Sequence, residues 1–303
     1  MKVLVLGGNG FIGSHVVDQL LAEGHHVRVF DRAAERFRQP LPKVEYLTGN
    51  FSDTFQVAEA LQGIDAVCHL ISTTVPGTSN LDPVADVESN LIDTLHLLEQ
   101  MRKKRINRIL YLSSGGTVYG NPECSPVNEN HSLNPISSYG VVKVAIENYL
   151  HMYQHLYGLQ PVILRPSNPY GPRQGGAGLQ GLIGTLLTRI LHAEEIEVWG
   201  DGSIVRDYIH VSDLSRLCVT ALESDVCGVF NAGSGQGHSI NEVIALIGSI
   251  TERELHPSYR DGRNFDVKEI VLDISSVADQ FGWHPEIALA EGIGDQMKWL
   301  KSL

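Results

Sequence analysis

A tyrosine and a lysine four residues apart are the first candidates for chemistry. Tyr139 and Lys143 lie near the start of a predicted helix, Ser138–Tyr157, where this spacing places both side chains on one face. A phenol with a pKa of about 10 is a poor base at neutral pH, but a neighbouring ammonium lowers that pKa. The pair could then exchange a proton with a substrate hydroxyl. An exposed tyrosine and lysine on a helix are the alternative interpretation of this spacing.

A glycine-rich turn near the N-terminus is the second candidate. Gly7, Gly10 and Gly13 satisfy G-x-x-G-x-x-G, and counting from Gly8 instead of Gly7 gives G-x-G-x-x-G. Glycines are required where the turn is tight, where the backbone approaches a pyrophosphate and where the helix packs closely on the strand. The following helix N-terminus offers N–H groups and a partial positive charge to phosphates. The motif therefore indicates a dinucleotide site, with a plain glycine turn as the alternative.

An acidic residue ends the second predicted strand and bears on the type of dinucleotide. Asp31 lies where a carboxylate binds the hydroxyls of an adenosine ribose, and it would repel a 2′-phosphate. NAD is therefore favoured over NADP, although the adjacent Arg32 weakens that preference. Strand, glycine turn, helix and acid together predict NAD as the cofactor.

The candidate residues must be positioned by a fold, and the sequence predicts alternating strands and helices over much of the chain. Short apolar runs predict strands at Lys2–Leu6, His26–Phe30, Val44–Leu47, Ala66–Ile71, Ile109–Leu112 and Val162–Leu164. Apolar residues at three- and four-residue spacing predict helices at Ser14–Glu23, Ser89–Arg102, Ser138–Tyr157, Ile240–Thr251 and near the C-terminus. Uninterrupted apolar strands flanked by helices indicate a parallel sheet covered on both faces. We predict an α/β fold: a Rossmann-type doubly wound parallel sheet with a smaller α/β C-terminal substrate-binding domain.

A change of composition marks the predicted domain boundary. The segment Pro166–Gly184 is rich in proline and glycine, which is typical of a loop. We expect an NAD-binding domain over residues 1–166, with a returning segment near residues 204–232. Residues 167–303 are expected to form mainly a substrate-binding domain.

The overall composition excludes several classes of protein. The 35 acidic and 23 basic residues give a formal charge of −12, which argues against a nucleic-acid binder. No stretch approaches the roughly 20 apolar residues that span a bilayer, so no membrane partner is expected. The four cysteines show neither C-x-x-C nor zinc-site spacing. We therefore expect reduced thiols, no metal and a cytoplasmic location.

Several motifs follow one another along nearly the whole chain. They are GGNGFIG at 7–13, SSGGTVYG at 113–120, Tyr139 with Lys143, RPSNPYGP at 165–172, GDGSIVRDYIHV at 200–211, FNAGSG at 230–235 and GWHP at 282–285. This series resembles the extended short-chain dehydrogenase/reductase family, and within it the nucleotide-sugar 4-epimerases of the UDP-glucose type. A series in this order is much more specific than any single motif.

The resemblance implies two sets of binding residues. Those that would contact the cofactor are Gly7, Gly10, Phe11, Ile12, Gly13, Asp31, Arg32, Asn50, Phe51, Leu70, Ile71, Ser72, Asn90, Ser113, Tyr139, Lys143, Pro166 and Ser167. Those that would contact the substrate are Thr74, Ser114, Gly115, Thr117, Tyr139, Asn168, Arg173, Leu179, Gln180, Arg206 and Arg263. Asn50 stands where the family often has an aspartate.

One position departs from the pattern of this family. Four residues before Tyr119 the epimerases usually carry the Ser or Thr that hydrogen-bonds the sugar 4-oxygen, and here that residue is Gly115. Ser114 or Thr117 could supply the hydroxyl instead, or the gap could admit a bulkier sugar. Our hypothesis is Thr117, the nearest hydroxyl downstream on the same loop. The expected catalytic residues are thus Tyr139, Lys143, Thr117 and Ser114.

The activity implied by the resemblance is an NAD-dependent inversion at C4 of a UDP-sugar through a transient 4-keto intermediate. It also implies a homodimer built from the helices Ser89–Arg102 and Ser138–Tyr157. Related 4,6-dehydratases carry an Asp-Glu pair where this chain has Gly116 and Thr117, so dehydration is disfavoured. Two alternatives stay open: another NAD-dependent nucleotide-sugar enzyme, either a reductase or a UDP-uronate decarboxylase, and a non-catalytic NAD-binding regulatory protein.

Overall fold

The computed structural model of the 303-residue chain describes residues 1–175, 181–261 and 267–303. Its strands are β1 (Lys2–Leu6), β2 (His26–Asp31), β3 (Val44–Thr48), β4 (Ala66–His69), β5 (Arg108–Leu112), β6 (Gln160–Pro166), β7 (Asn168–Tyr170), β8 (Glu197–Trp199), β9 (Val205–His210), β10 (Gly228–Ala232), β11 (Gly237–Ser239), β12 (Ser258–Arg260) and β13 (Glu269–Ile270).

The helices alternate with these strands, as the sequence predicts. They are α1 (Phe11–Ala22), α2 (Thr54–Ala60), α3 (Pro76–Ser79), α4 (Pro83–Asp86), α5 (Asp93–Lys104), α6 (Ser138–Tyr157), α7 (Leu182–Leu191), α8 (Val211–Glu223), α9 (Ile240–Thr251), α10 (Ser275–Phe281) and α11 (Leu289–Lys301). A π-helical turn, Val87–Ile92, joins α4 to α5.

The chain divides into two compact units. The first comprises Met1–Val118, Ser137–Arg165 and Ser215–Phe230, and the second comprises Tyr119–Ile136, Pro166–Leu214 and Asn231–Leu303. The returning segment of the first unit is shorter than the predicted 204–232. Residues 119–136, which the sequence analysis placed in the first domain, belong to the second unit, because their contacts are with segments such as Val271–Asp273.

A seven-stranded sheet forms the centre of the first unit. Its strand order is β10-β6-β5-β4-β1-β2-β3, and the pairs from β6 to β3 are parallel. The order 3-2-1-4-5-6 is that of a doubly wound sheet, which confirms the predicted fold class. The strand order reverses between β1 and β4, and ligands of such sheets bind beyond the carboxyl ends of the strands at this point.

Burial explains why the central strands are apolar without interruption. Residues 3–6 of β1 and 66–68 of β4 are fully inaccessible, because helices cover both faces of a parallel sheet. Val16, Val17 and Leu20 of α1 pack against one face, and they recur at the spacing of a helical stripe.

Two predicted segments differ from the structure. The predicted helix Ser89–Arg102 corresponds to residues 89–92 of the π-helical turn followed by α5. The observed α5 continues to Lys104, and Arg105 then adopts a left-handed conformation with φ of 58°. The loop predicted at 166–184 contains β7 and the start of α7. Pairing of Asn168 with Tyr208 forms β7, and such a long-range contact leaves no local periodicity.

The second unit has its own small sheets and core. Strand β9 pairs with β7, β11 and β13, and β8 pairs with β12. Helices α7, α9 and α11 supply apolar side chains to a separate cluster that includes Leu187, Ile247 and Ile293. Across the two units, the described helices include none with the length and apolar character that a membrane crossing requires.

Candidate active site

The glycine turn between β1 and α1 is closely packed. A Cβ atom at Gly13 would lie 2.1 Å from the carbonyl oxygen of Gly7, so any side chain there would force the helix away from the turn. The Gly10 N–H donates to the same carbonyl, and Gly7 has a left-handed φ of 83°. The N-cap of α1 is Gly10, which has no side chain to accept from the first N–H groups of the helix. These donors are therefore available to an anion.

Asp31 lies at the end of β2 beside this turn. Its carboxylate accepts hydrogen bonds from the backbone N–H groups of Asn9, at 3.0 Å, and Ala33, at 3.1 Å. These bonds fix the carboxylate while each oxygen keeps a further lone pair for a hydroxyl donor. Arg32 is exposed next to it. The contacts of both residues with an adenosine ribose stay predictions.

The segment after β4 closes the other side of the glycine turn. The Cγ1 atom of Ile71 would lie 3.2 Å from a Cβ at Gly7, and the Leu70 carbonyl carbon would lie at 3.4 Å. Phe51 is buried against the ring of His69, with centroids 5.2 Å apart, and its neighbour Asn50 accepts a hydrogen bond from the Ser52 N–H. Predicted cofactor residues at the ends of β2 and β4 thus lie beside the glycine turn, and Phe51, after β3, packs against His69 of β4.

The Tyr139–Lys143 pair lies on the first two turns of α6. The Lys143 ammonium is buried, donates to the carbonyl oxygen of Leu112 at 2.8 Å and lies 5.4 Å from the centre of the Tyr139 ring. The hydroxyls of Ser72 and Ser114 hydrogen-bond the Tyr139 phenol. The structure therefore brings together Tyr139, Lys143, Ser72 and Ser114 from three parts of the sequence: α6, the segment after β4 and the loop after β5.

Burial shifts the proton affinities of both members of this pair. Desolvation raises the pKa of Tyr139 to about 12, against hydrogen bonds from Ser72 and Ser114 that lower it. Desolvation lowers the pKa of Lys143 to about 8, and the nearby carboxylates of Glu147 and Asp86 oppose that shift. A tyrosine with so high a pKa needs a nearby cation to act as a base.

The loop after β5 separates the two candidate hydroxyls. Ser114 lies beside the Tyr139 phenol, whereas Thr117 Oγ1 is buried and has no hydrogen-bond partner among the described residues. The Thr117 N–H donates back to the Ser114 carbonyl, so the loop turns between them. This geometry favours Ser114 over our hypothesis of Thr117. Gly115 is buried, and Gly116 is half-exposed.

Asn90 and Thr74 lie behind the site and are engaged by protein groups. The Asn90 amide oxygen accepts from the Thr73 N–H, and its NH₂ group donates to Thr73 Oγ1 and to the Asp86 carboxylate. The Thr74 hydroxyl donates to the same carboxylate. The predicted contacts of Asn90 with the cofactor and of Thr74 with the substrate stay predictions.

A buried ion pair supports the site and was missed by the sequence analysis. Glu147, one turn after Lys143, pairs with Arg165 at 2.6 Å and accepts from the hydroxyl of Ser113. All three side chains are nearly inaccessible. The i, i+4, i+8 spacing of Tyr139, Lys143 and Glu147 on one helix face was the signal available for Glu147.

The remaining predicted residues lie in the second unit. Pro166 ends β6, and the N–H of Ser167 donates to the Ala232 carbonyl. The Asn168 amide donates to the Asp207 carbonyl oxygen at 2.8 Å, and Arg206 Nη1 donates to the Val205 carbonyl. Arg173 follows β7 with a left-handed φ of 70°. Leu179, Gln180 and Arg263 lie outside the described residues.

Comparisons with known proteins show which family the chain resembles over its length. Residues 3–233 match the model of the NAD dependent epimerase/dehydratase family. A UDP-glucose 4-epimerase of Mycolicibacterium smegmatis is 34% identical over 319 residues, which cover 100% of this chain and 99% of that protein. The crystal structure of UDP-glucose 4-epimerase from Thermotoga maritima with UDP-glucose has a TM-score of 0.95 and 33% identity, and covers 100% of this chain and 99% of that one. The Thermus thermophilus UDP-glucose 4-epimerase in complex with NAD has a TM-score of 0.93 and 33% identity, with 99% of both chains covered.

Proposed function

Because the chain belongs to the NAD dependent epimerase/dehydratase family, we propose that it is an NAD-dependent enzyme that inverts C4 of a UDP-sugar. The observation that carries this proposal is the set of contacts around Tyr139. Its phenol is hydrogen-bonded by Ser72 and Ser114, and the buried Lys143 ammonium lies 5.4 Å from its ring. The glycine turn, against which Ile71 packs, belongs to the same unit.

The residues present fit NAD. The close approach of Gly13 to Gly7 leaves no space for a side chain, and the uncapped N-terminus of α1 offers donors to a pyrophosphate. Asp31 keeps lone pairs for the adenosine ribose and carries a charge that repels a 2′-phosphate. When bound, NAD supplies a reversible hydride acceptor for C4 of the sugar.

The chain's own residues move the proton. Tyr139 removes the proton of the sugar 4-hydroxyl as the C4–H bond breaks, and a 4-keto sugar results. The same tyrosine returns the proton to the 4-oxygen after the keto sugar has presented its other face. The Lys143 ammonium favours the phenolate of Tyr139, and Ser114 is placed to donate a hydrogen bond to the same oxygen.

Several of the residues expected to bind the substrate belong to the second unit. We assign Asn168 and Arg206 to the diphosphate and uridine, with Arg263, Leu179 and Gln180 completing the set from outside the described residues. Guanidinium groups suit a diphosphate because they carry a fixed charge and several donors. Gly115 stands where the resemblance to the family implies a hydroxyl side chain.

The alternatives predict different products. A reductase consumes reduced cofactor in proportion to product, and a UDP-uronate decarboxylase releases carbon dioxide. A regulatory NAD-binding protein gains thermal stability from ligands without forming any product. The Tyr139–Lys143 contact favours catalysis over this last alternative.

A panel of UDP-sugars tests the proposal. The purified protein is incubated with UDP-hexoses, UDP-N-acetylhexosamines and UDP-uronic acids, and the products are separated by chromatography. We expect one pair of C4 epimers to interconvert without accumulation of reduced cofactor. Accumulation of reduced cofactor, loss of carbon dioxide, or the absence of product with every sugar would contradict the proposal.

We also propose a homodimer formed through α5 and α6. Five large apolar or aromatic side chains on α6 are exposed: Val141, Tyr149, Met152, Leu156 and Tyr157. On the π-helical turn before α5, Ile92 is exposed as well. Such apolar faces are typical of interfaces between subunits.

Sedimentation equilibrium tests the dimer. The substitution Leu156→Glu places a charge in the proposed interface and should give a monomer. The matched control is Tyr259→Glu on β12, which replaces an exposed apolar residue outside α5 and α6 and should leave a dimer. A wild-type monomer, or a dimer that both variants retain, would contradict the proposed interface.

The four free cysteines support a cytoplasmic location, which we propose as well.

A further inference from the structure

The carboxylate of Asp86 is fully buried although it belongs to a short surface helix. Asp86 ends α4, immediately before the π-helical turn, and none of its surface is accessible. One carboxylate oxygen accepts from Thr74 Oγ1 at 2.6 Å and from the Asn90 amide at 2.9 Å. The other accepts from Ser138 Oγ at 2.7 Å. The buried charge is therefore held by three donors from three separate segments.

The segment that carries Asp86 also caps the helix that carries the tyrosine. Asn80 Oδ1 accepts from the N–H of Ser138 at 2.8 Å, and Ser79 Oγ accepts from the N–H of Tyr139 at 3.1 Å. Helix N-termini leave these N–H groups without partners inside the helix. The first turn of α6 is thus bound to residues 79–86 through both its backbone and the Ser138 side chain.

Asp86 lies close to Tyr139 and Lys143 as well as to Ser138, which begins the helix that carries them. A small enclosed cavity is lined by Asp86, Asn90, Tyr139 and Lys143 together with apolar neighbours. A carboxylate on the wall of such a cavity acts on the other groups with little solvent screening. Its negative charge therefore acts on the ammonium of Lys143 and on the phenol of Tyr139.

We propose that Asp86 is a positioning residue for the Tyr139–Lys143 pair: it holds the first turn of α6 against the loop after β4, and its charge keeps Lys143 protonated. This inference rests on the proposed function of the same site. Asp86 touches neither substrate nor cofactor in the reaction described above, and it acts through Ser138 and through the cavity.

The other charged and titratable groups around the pair are few. From α6, Glu147 faces Lys143, and it is paired with Arg165 of β6. The centre of the Tyr111 ring, on β5, lies 4.8 Å from the Lys143 ammonium. His69, on β4, is buried, which lowers its pKa to about 3, so its ring is neutral. Elsewhere in the segment that follows Asp86, Glu88 is exposed, and Asp93 accepts from the hydroxyl of Ser52.

The direction of the charge effect follows from these neighbours. Burial lowers the pKa of Lys143 to about 8, and Asp86 and Glu147 both raise it. Asp86 also raises the pKa of Tyr139. Removing the charge of Asp86 therefore lowers both pKa values, so the tyrosine loses its proton more easily and the lysine loses its charge at a lower pH.

The test is the substitution Asp86→Asn, which keeps the shape and removes the charge. In the enzyme with its cofactor bound, we expect both limbs of the kcat profile to move to lower pH by about one unit. Ser138→Ala removes a hydrogen bond to α6 but keeps the charge, and it should lower kcat without moving the profile. Glu88→Gln removes an exposed acid of the same segment and should change neither quantity.

A second readout does not depend on activity. In protein labelled with carbon-13 at the lysine ε position, the Lys143 resonance, assigned with Lys143→Met, reports its pKa directly. We expect that pKa to be lower in Asp86→Asn than in the wild type and in Glu88→Gln. An unchanged Lys143 pKa, or a pH profile that Ser138→Ala shifts as far as Asp86→Asn does, would overturn the inference. A wild type without epimerase activity would instead overturn the proposed function, and the resonance would still decide the role of Asp86.

Discussion

The ammonium of Lys143 lies 5.4 Å from the centre of the Tyr139 ring and donates to the carbonyl oxygen of Leu112. This relationship fixes a positive charge beside a phenol whose pKa is raised to about 12 by burial. The Leu112 carbonyl belongs to the end of β5, so the sheet itself holds the lysine in place. The acid–base chemistry of the site depends on this pair.

Removing the phenol should abolish most of the catalysis. Tyr139→Phe keeps the ring but loses the proton carrier, and we expect kcat to fall by about a thousandfold, within the range for a general acid–base group. Calorimetric titration should show that the variant still binds NAD. Tyr149→Phe, at an exposed position of the same helix, is the control and should retain full turnover. Equal losses in the two variants would show that Tyr139 has no special role.

The two candidate hydroxyls should differ in their effect on turnover. Ser114→Ala removes a hydrogen bond to the Tyr139 phenol, so kcat should fall by about 10- to 100-fold. Thr117→Val removes a buried hydroxyl without a described partner and keeps the shape, so kcat should change little and stability should stay equal or rise. Steady-state kinetics and thermal melts of both variants decide the question. A large loss in Thr117→Val alone would restore Thr117 as the sugar contact.

Cofactor binding should fail when the glycine turn is crowded. In Gly13→Ala the new Cβ would lie 2.1 Å from the Gly7 carbonyl oxygen, so α1 must move away from the turn. We expect a loss of stability of about 1–3 kcal/mol and a weaker affinity for NAD, measured by thermal melts and by titration. Gly77→Ala, where a Cβ would meet no atom within 4 Å, is the control. A Gly13→Ala variant with wild-type NAD affinity would argue against a pyrophosphate at this turn.

Stability should depend on pH through a buried histidine. Burial between Phe51 and Tyr111 lowers the pKa of His69 from 6.5 to about 3. Between these values the unfolded chain binds one more proton than the folded chain, so stability falls as the pH falls. This group alone contributes a slope of about 1.4 kcal/mol per pH unit.

Urea titrations over the acid range measure that slope. His69→Gln should flatten the dependence by about one proton, and His26→Gln, at an exposed position of the same unit, should leave it unchanged. A wild-type slope retained in His69→Gln would mean that other groups cause the acid sensitivity.

The secondary-structure elements whose ends are marked by residues next to them in the sequence were predicted most closely. The predicted helix Ser138–Tyr157 has the same bounds in the structure, because Ser137 caps its start and Gly158 adopts a left-handed conformation at its end. The π-helical turn was not predicted, since apolar spacing does not distinguish it from an α-helix. Strand β7 was also missed, because its pairing with β9 is a contact distant in sequence.

The residues of the candidate site could likewise be predicted only where a local sequence pattern marks them. The spacing of Tyr139 and Lys143 and the glycine turn are local patterns, so both can be recognised in the sequence. The choice between Ser114 and Thr117 depends on the direction in which the loop turns, and no spacing records that. The role of Asp86 depends on burial of its carboxylate against Ser138, which only the folded chain shows.

In the proposed reaction, hydrogen leaves C4 of the sugar and returns to the same carbon. The most direct test uses a UDP-sugar substrate of the enzyme that carries deuterium at C4, followed by proton NMR during epimerisation in ordinary water. We predict that the C4 epimer forms with the deuterium retained at C4, and that Tyr139→Phe forms almost none. Loss of the deuterium to solvent, or epimer formation that Tyr139→Phe leaves intact, would contradict this account.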